Sequence, residues 1–298
     1  MYSRRDFAKL AAAAVPLPLL AQEKGVQKKK IDSVIRGVQI GAQTYSFRAY
    51  PLDRMIQAFV EVGLGDCEVY SPHIEPQTSG PDPKINRETL REWRIHAPMD
   101  VMRQARKKFD DAGVNVSAYN LSFNDSFTDE EIDHGFQLSR AFGVNQITAS
   151  STLTTAPRLV KGAEKYNMLV AFHGHADVRD PNQFAKPESF MKALAMSKQF
   201  RINLDIGHFV AAGYDPIPFI EAHHDMITIL HLKDRKKGDP VANLPWGQGD
   251  TPIKQVLQLL RDRHWPIKAF IEYEYAGKDD PVTEVKRCFE YCKEALAS

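Results

Sequence analysis

The feature that most limits what this 298-residue chain can fold into is a regular alternation of short apolar, β-rich runs with amphipathic stretches. Runs at 38–43, 67–70, 114–119, 144–149, 168–172, 202–206, 226–232 and 267–273 read as eight strands. Stretches at 52–62, 100–112, 129–142, 155–166, 187–197, 216–223, 251–261 and 281–296 carry apolar residues at three-to-four spacing and read as helices. Strands joined through helices pair in parallel, because each helix returns the chain to the same end of the sheet. Eight such units predict an α/β fold closed as a (β/α)8 TIM barrel. An open doubly wound sheet is the alternative, and the lack of a Gly-rich turn after the first strand argues against it. Gly63, Gly113 and Gly143 stand where three predicted helices stop, the place for a left-handed residue.

The length suits one barrel and leaves no room for a second domain of usual size. Hydrophobic residues at 43% and charged residues at 26% fit a soluble globular body. A net charge of +1 lacks the basic excess of a nucleic-acid surface, so no nucleic-acid partner is expected. Cys67, Cys288 and Cys292 form no disulfide framework and no C-x-x-C pair, and are expected as buried thiols.

The first residues read as a targeting segment. Ser3-Arg4-Arg5-Asp6-Phe7-Ala8-Lys9 precedes an apolar stretch at 10–21. A basic start followed by a short apolar run is a signal-peptide pattern, and the arginine pair resembles a twin-arginine export signal. That resemblance implies a periplasmic or exported protein, the twin-arginine (Tat) machinery as a partner, and passage in a folded, cofactor-loaded state. Cleavage after Ala21 would put Leu19 where a small residue is wanted, so an uncleaved anchor is the alternative. The stretch is too short to span a bilayer comfortably, and no stable membrane partner is expected. The expected organisation is a signal at 1–21, a basic linker at 22–36 and one barrel domain at 37–298.

In a parallel barrel the C-terminal ends of all strands converge on one mouth. The strand ends here are rich in histidines, carboxylates and aromatics. They carry Gln43 and Tyr45; Glu68 and Tyr70; Asn120; His173 and His175; Asp205 with His208 three residues on; His231 and Lys233; and Glu272 and Glu274. Each alone has a bland reading, as a satisfied loop histidine or a solvated rim carboxylate. Together, Asp, His and Glu at converging strand ends are a mixed N/O donor set for one divalent ion, Mn, Mg, Co or Zn. The candidate ligands are Asp205, His231, Glu272, His173, His175 and His208. Glu68, Tyr45, Tyr70, Asn120, Lys233 and Trp246 are candidate substrate contacts. His96, His134, His223, His224 and His264 fall outside strand ends and read as surface residues.

Several of these stretches carry a likeness. Ile40-Gly-Ala-Gln-Thr-Tyr-Ser-Phe, Gly65-Asp-Cys-Glu-Val-Tyr, Leu204-Asp-Ile-Gly-His, Ile229-Leu-His-Leu-Lys-Asp, Trp246-Gly-Gln-Gly and Ile271-Glu-Tyr resemble strand and loop motifs of the xylose isomerase-like superfamily. That superfamily holds sugar phosphate isomerases/epimerases and the endonuclease IV group. The likeness runs over roughly 38–296. It implies Asp205, His231 and Glu272 as metal ligands, with Glu272 also a proton-transfer base. One departure stands out. The family usually offers a Glu at the end of the fifth strand, and here the chain reads Phe172-His173-Gly174-His175.

The resemblance implies a metal-dependent isomerase or epimerase that abstracts a proton beside the carbonyl of a sugar or keto-sugar. Glu272 or His173 is the expected proton carrier, histidine because it titrates near neutral pH. The missing Glu leaves open a lyase, hydratase or hydrolase of keto-glycosides, or a sugar-binding barrel without catalysis. The expected partner is a small-molecule carbohydrate, and the sequence leaves a homo-oligomer open.

Overall fold

The computed structural model describes residues 30–76, 83–239 and 241–298. The expected signal segment lies outside the described residues. Strand β1 (Val34–Ile35) pairs antiparallel with β2 (Val38–Gln43). The chain continues through α1 (Leu52–Val62), β3 (Asp66–Tyr70), α2 (Pro83–His96), α3 (Met99–Ala112), β4 (Asn115–Asn120), α4 (Asp129–Ala141) and β5 (Gln146–Ala149). Next come α5 (Ala156–Tyr166), β6 (Leu169–His173), α6 (Pro187–Leu194), β7 (Phe200–Asp205), α7 (Ile206–Ala211) and α8 (Pro216–His223). Last are β8 (Ile227–Leu232), the ribbon strands β9 (Asp234–Arg235) and β10 (Asn243–Leu244), α9 (Ile253–Arg263), β11 (Lys268–Ile271) and α10 (Pro281–Ala297).

Strands β2 to β8 and β11 are parallel neighbours, and β2 pairs with both β11 and β3, which closes the ring. The (β/α)8 barrel expected from the alternation is therefore present. Its strands are buried on both faces, as a barrel wall covered by helices has to be. Most of the apolar core lies between wall and helices. Phe172 there stacks on Phe184 at 4.6 Å and meets Phe200 edge-on at 4.9 Å. Inside the barrel a separate small cluster, Ala118, Ile229 and Phe270, forms a plug. Asp66, Asn115, Ser117 and Lys268, near the starts of their strands, are joined by hydrogen bonds on the N-terminal side. A filled lower barrel leaves the C-terminal mouth as the place for a ligand.

Three expectations from the sequence differ from the fold. The expected linker at 22–36 runs into the fold. Ile31 donates its N–H to the Gly113 carbonyl, Ser33 is buried, and β1 extends the β2 edge. Helix α2 was not among the expected helices; it carries few apolar residues and follows a Pro-rich stretch. Ion pairs from Arg91 to Glu131 (3.3 Å) and from Arg94 to Glu75 (2.8 Å) dock it, with Trp93 packed against the core. His134 departs from the surface reading too, since it is half-buried and its Nδ1 lies 2.6 Å from the Ile95 carbonyl. All three cysteines are buried and free. No helix among the described residues is long and apolar enough to cross a membrane.

Candidate active site

The strand ends line one cavity of about 190 Å³ at the barrel mouth. It is open to solvent and has room for a small molecule on the scale of a sugar unit. Of the predicted residues, Tyr45, Tyr70, Asn120, His173, His175, His208, His231, Lys233 and Glu272 line it. Gln43, Ser122, Ser150 and Glu274 do so as well; Gln43 and Glu274 stood at predicted strand ends with no role given to them, and Ser122 and Ser150, just past β4 and β5, were not foreseen.

The register of the strands explains the gathering. Asp205 on β7 is the direct partner of His231 on β8, and His173 on β6 is the partner of Asn203 on β7. Glu272 follows β11 and donates its N–H to the Leu232 carbonyl, which sets it beside His231. One donor atom each from His173, Asp205, His231 and Glu272 lies within 4.8 Å of the others, and all four residues are buried. Asp205 also caps α7, its Oδ1 accepting the His208 N–H at 2.7 Å. The turn needs Gly207, because a Cβ there would sit 2.6 Å from the Lys233 carbonyl oxygen.

Two carboxylates flank His231. Glu68 Oε2 lies 2.8 Å from its Nε2 and Glu272 Oε2 lies 3.2 Å from its Nδ1. Burial alone would lower this imidazole, but Glu68 and Glu272 outweigh it and hold it well above 6.5. Glu68 does not face the cavity. It is fully buried and accepts from Gln43 (2.9 Å), Thr148 (2.7 Å) and Asn203 (3.2 Å). The expected substrate contact is thus a support for His231, the kind of outer carboxylate that orients a ligand histidine.

Lys233 is 2% exposed, with its Nζ 3.1 Å from Asp205 Oδ2, 2.9 Å from Glu272 Oε2 and 2.6 Å from Glu274 Oε2. Burial works against its charge, but Asp205, Glu272 and Glu274 together hold the ammonium above its usual range. Burial pushes the Asp205 carboxyl up to about 6 against the pull of Lys233. Burial also raises Glu272, but Lys233 and His231 overcome it and keep that carboxylate well below its usual value. His173, His175 and His208 are all lowered, chiefly by burial, with His231 adding to the effect on His173 and Lys233 to that on the other two. They are neutral at pH 7.

His173, His175 and His208 form a second group with donor atoms within 4.8 Å of one another. It suits a cation poorly, because both ring nitrogens of His208 face cations. Arg235 Nη1 lies 2.6 Å from Nδ1 and Lys233 Nζ lies 3.2 Å from Nε2. The group of four carries the stronger case. Within it, His173 Nδ1 and Asp205 Oδ2 are buried without a hydrogen-bond partner. Lys233 is near Asp205 Oδ2 but is not aligned to donate to it, and unmet buried donors and acceptors ask for an explanation.

The structure does not bring Trp246 into the cavity. It lies in the loop after β10 and meets Tyr291 edge-on at 5.6 Å. There it lines a separate hollow with Tyr275 and Arg287, so it is not a wall of the strand-end site. Asp234 holds this loop by accepting the N–H groups of Gly247, Gly249 and Thr251. Tyr45 and Tyr70 do face the cavity and meet edge-on at 5.0 Å.

Comparison with known proteins agrees with the fold. Residues 73–295 match the family model described as xylose isomerase-like TIM barrel. A sugar phosphate isomerase/epimerase from Parabacteroides distasonis superposes with a TM-score of 0.60 at 18% identity, covering 88% of this chain and 97% of that one. The 3-keto-D-glucoside 4-epimerase YcjR from E. coli gives 0.62 at 10% identity, covering 86% and 99%. A structure described as the probable 3-DHS dehydratase AsbF of petrobactin synthesis, from Bacillus anthracis, gives 0.63 at 16% identity, covering 88% and 99%. Likeness at these identities is likeness of fold. No curated protein matches the chain in sequence.

Proposed function

The chain belongs to the xylose isomerase-like TIM barrel family, and from that premise we propose that it is a divalent-metal-dependent isomerase or epimerase. It would move a proton beside the carbonyl of a sugar or keto-sugar. The observation that carries this reading is the buried set His173, Asp205, His231 and Glu272 beneath a cavity of sugar size. Two imidazoles and two carboxylates suit the same range of divalent ions. The unpartnered His173 Nδ1 and Asp205 Oδ2 belong to that set. A bound ion would act as a Lewis acid on a carbonyl oxygen and stabilise the negative charge that grows there on deprotonation.

The protein's own groups would do the rest. Glu272 is ionised and adjoins the cavity, which suits it to take the proton. His175 is neutral, lines the cavity and is outside the group of four, so it is free to carry a proton on another side. His173 serves better as a ligand than as the base assigned from the sequence, since a neutral ring that ligates through one nitrogen keeps only an N–H, whereas Glu272 has a second oxygen for the proton. Asn120, Gln43, Ser122 and Ser150 offer donors and acceptors for hydroxyl groups, and Tyr45 and Tyr70 offer apolar ring surface.

A dehydratase-type elimination is the second reading, favoured by the histidine pair at the end of β6. With no carboxylate there to return the proton, loss of a hydroxyl can follow abstraction.

The test is elemental analysis of protein purified without chelator, beside an Asp205→Ala/His231→Ala double variant. About one divalent ion per wild-type chain, absent from the variant, is expected. Solvent deuterium should then enter keto-sugars at the carbon next to the carbonyl. No bound ion, and no thermal shift on adding one, would overturn the reading.

A further inference from the structure

Arg235 is a buried cation. It is 2% exposed, and among the described residues no carboxylate lies within ion-pair distance of its guanidinium. Its Nε donates to the Ala242 carbonyl at 3.3 Å and its Nη1 lies 2.6 Å from His208 Nδ1. Burying a charge this way is costly, and its one short side-chain contact is the imidazole. A guanidinium has donors only and stays protonated in proteins. At 2.6 Å the His208 Nδ1 must therefore present its lone pair. A neutral imidazole has a single lone pair, so the hydrogen belongs on Nε2.

We propose that Arg235 is a positioning residue that fixes His208 as the Nε2–H tautomer, making it a hydrogen-bond donor in the cavity and excluding it as a metal ligand. Asp205 and the ribbon agree with this, and Lys233 makes the one competing contact. The Lys233 ammonium is a second donor, 3.2 Å from Nε2; a neutral ring accepts from one of the two cations, and the Arg235 contact at 2.6 Å is the shorter, which leaves Nε2–H and the ammonium facing each other as donors. An acceptor oxygen arriving between them would satisfy both. Asp205 Oδ2 is 3.8 Å from Nε2, too far to be that acceptor. The ribbon that carries Arg235 is itself fixed, by pairing of β9 with β10 and by the Arg235 N–H donating to Thr251 Oγ1 at 3.0 Å. The tautomer orients a donor toward where an oxygen of the ligand binds. Only the identity of that oxygen, a sugar hydroxyl or carbonyl, rests on the isomerase reading.

The experiment is long-range ¹H–¹⁵N correlation NMR of the full chain with ¹⁵N-labelled histidine, at neutral pH, with His208 assigned by loss of its signals in His208→Gln. The expected spectrum shows Nδ1 unprotonated and Nε2 protonated, a mixture of both forms in Arg235→Met, and recovery in Arg235→Lys, which can still donate. A protonated Nδ1 in the wild type would overturn the proposal without any variant having to fold. So would a spectrum unchanged in Arg235→Met. Manganese(II) binding is measured on the same samples. His208→Gln should keep the wild-type stoichiometry, and loss of the ion there would make His208 a ligand and end the proposal. A wild type that binds no manganese ends the metal-enzyme reading instead, while the tautomer still decides the role of Arg235.

Discussion

Glu68 Oε2 and His231 Nε2 are 2.8 Å apart, and both side chains are almost wholly withdrawn from water. A carboxylate at that nitrogen settles which way the ring turns and raises its basicity, leaving Nδ1 beside Glu272 for an ion. Glu68→Gln should weaken manganese binding by about 10- to 100-fold, the usual cost of losing such a support. Isothermal titration would read it, and an unchanged affinity would reduce Glu68 to a packing role.

The proton on Asp205 competes with any ion. With its carboxyl pushed up to about 6 by burial, Asp205 is ionised above that pH and protonated below it. The sign follows directly. Affinity for a divalent ion should be steady with respect to Asp205 above about pH 6 and should fall about tenfold per unit below it. His231, held protonated by Glu68 and Glu272, should release a second proton on binding and extend the dependence upward. Titrations in buffers of different ionisation enthalpy would count the protons. Affinity that is flat from pH 5 to 8 would contradict the arrangement.

Lys233 stands among the carboxylates that an ion would need, within 3.1 Å of Asp205 and 2.9 Å of Glu272. Two cations in that space repel each other. Lys233→Met should therefore bind manganese on the order of tenfold tighter, about 1.4 kcal/mol. Turnover should drop at the same time, because Lys233 lines the cavity. Equal affinities in the two proteins would show that the ammonium moves aside without cost.

Asp234 is the anchor of the loop that follows the ribbon, and three backbone N–H groups end on its carboxylate. Asp234→Ala should destabilise the fold by about 1 to 3 kcal/mol, the cost of the buried Thr251 N–H left without an acceptor, while the Gly247 and Gly249 donors lie nearer water. Urea unfolding would measure this. Gly249→Ala should do comparable harm in an otherwise intact loop, because the added Cβ would lie 2.0 Å from Asp234 Oδ1.

The barrel was legible because its strands are long apolar runs and its helices amphipathic. The apolar period at Leu52–Val62 and the glycine closing that helix, with φ of 87°, act together and leave little choice. The strand-end histidines and carboxylates could be found for the same reason, since closure forces them toward one mouth. What stayed hidden depended on distance in sequence. Glu68 looks like any strand-end acid until Gln43, Thr148 and Asn203 are seen to occupy it from the buried side. Trp246 shares a motif with the family and still faces Tyr291, because the loop held by Asp234 carries it outward. Helix α2 escaped because it is short of apolar residues and follows a Pro-rich stretch, while ion pairs help to dock it.

The three thiols have a use unconnected with chemistry at the mouth. Cys67 sits on the second barrel strand, and Cys288 and Cys292 sit on the helix that ends the chain. Burial pushes all three up, Cys288 to about 12, so none is reactive while the molecule is closed. Each is therefore a silent, native reporter. A maleimide added to the folded protein would label nothing until a segment breathes. The order in which Cys67 and the α10 pair become modified would show, without any engineered probe, whether the ring first parts near its beginning or peels from its end.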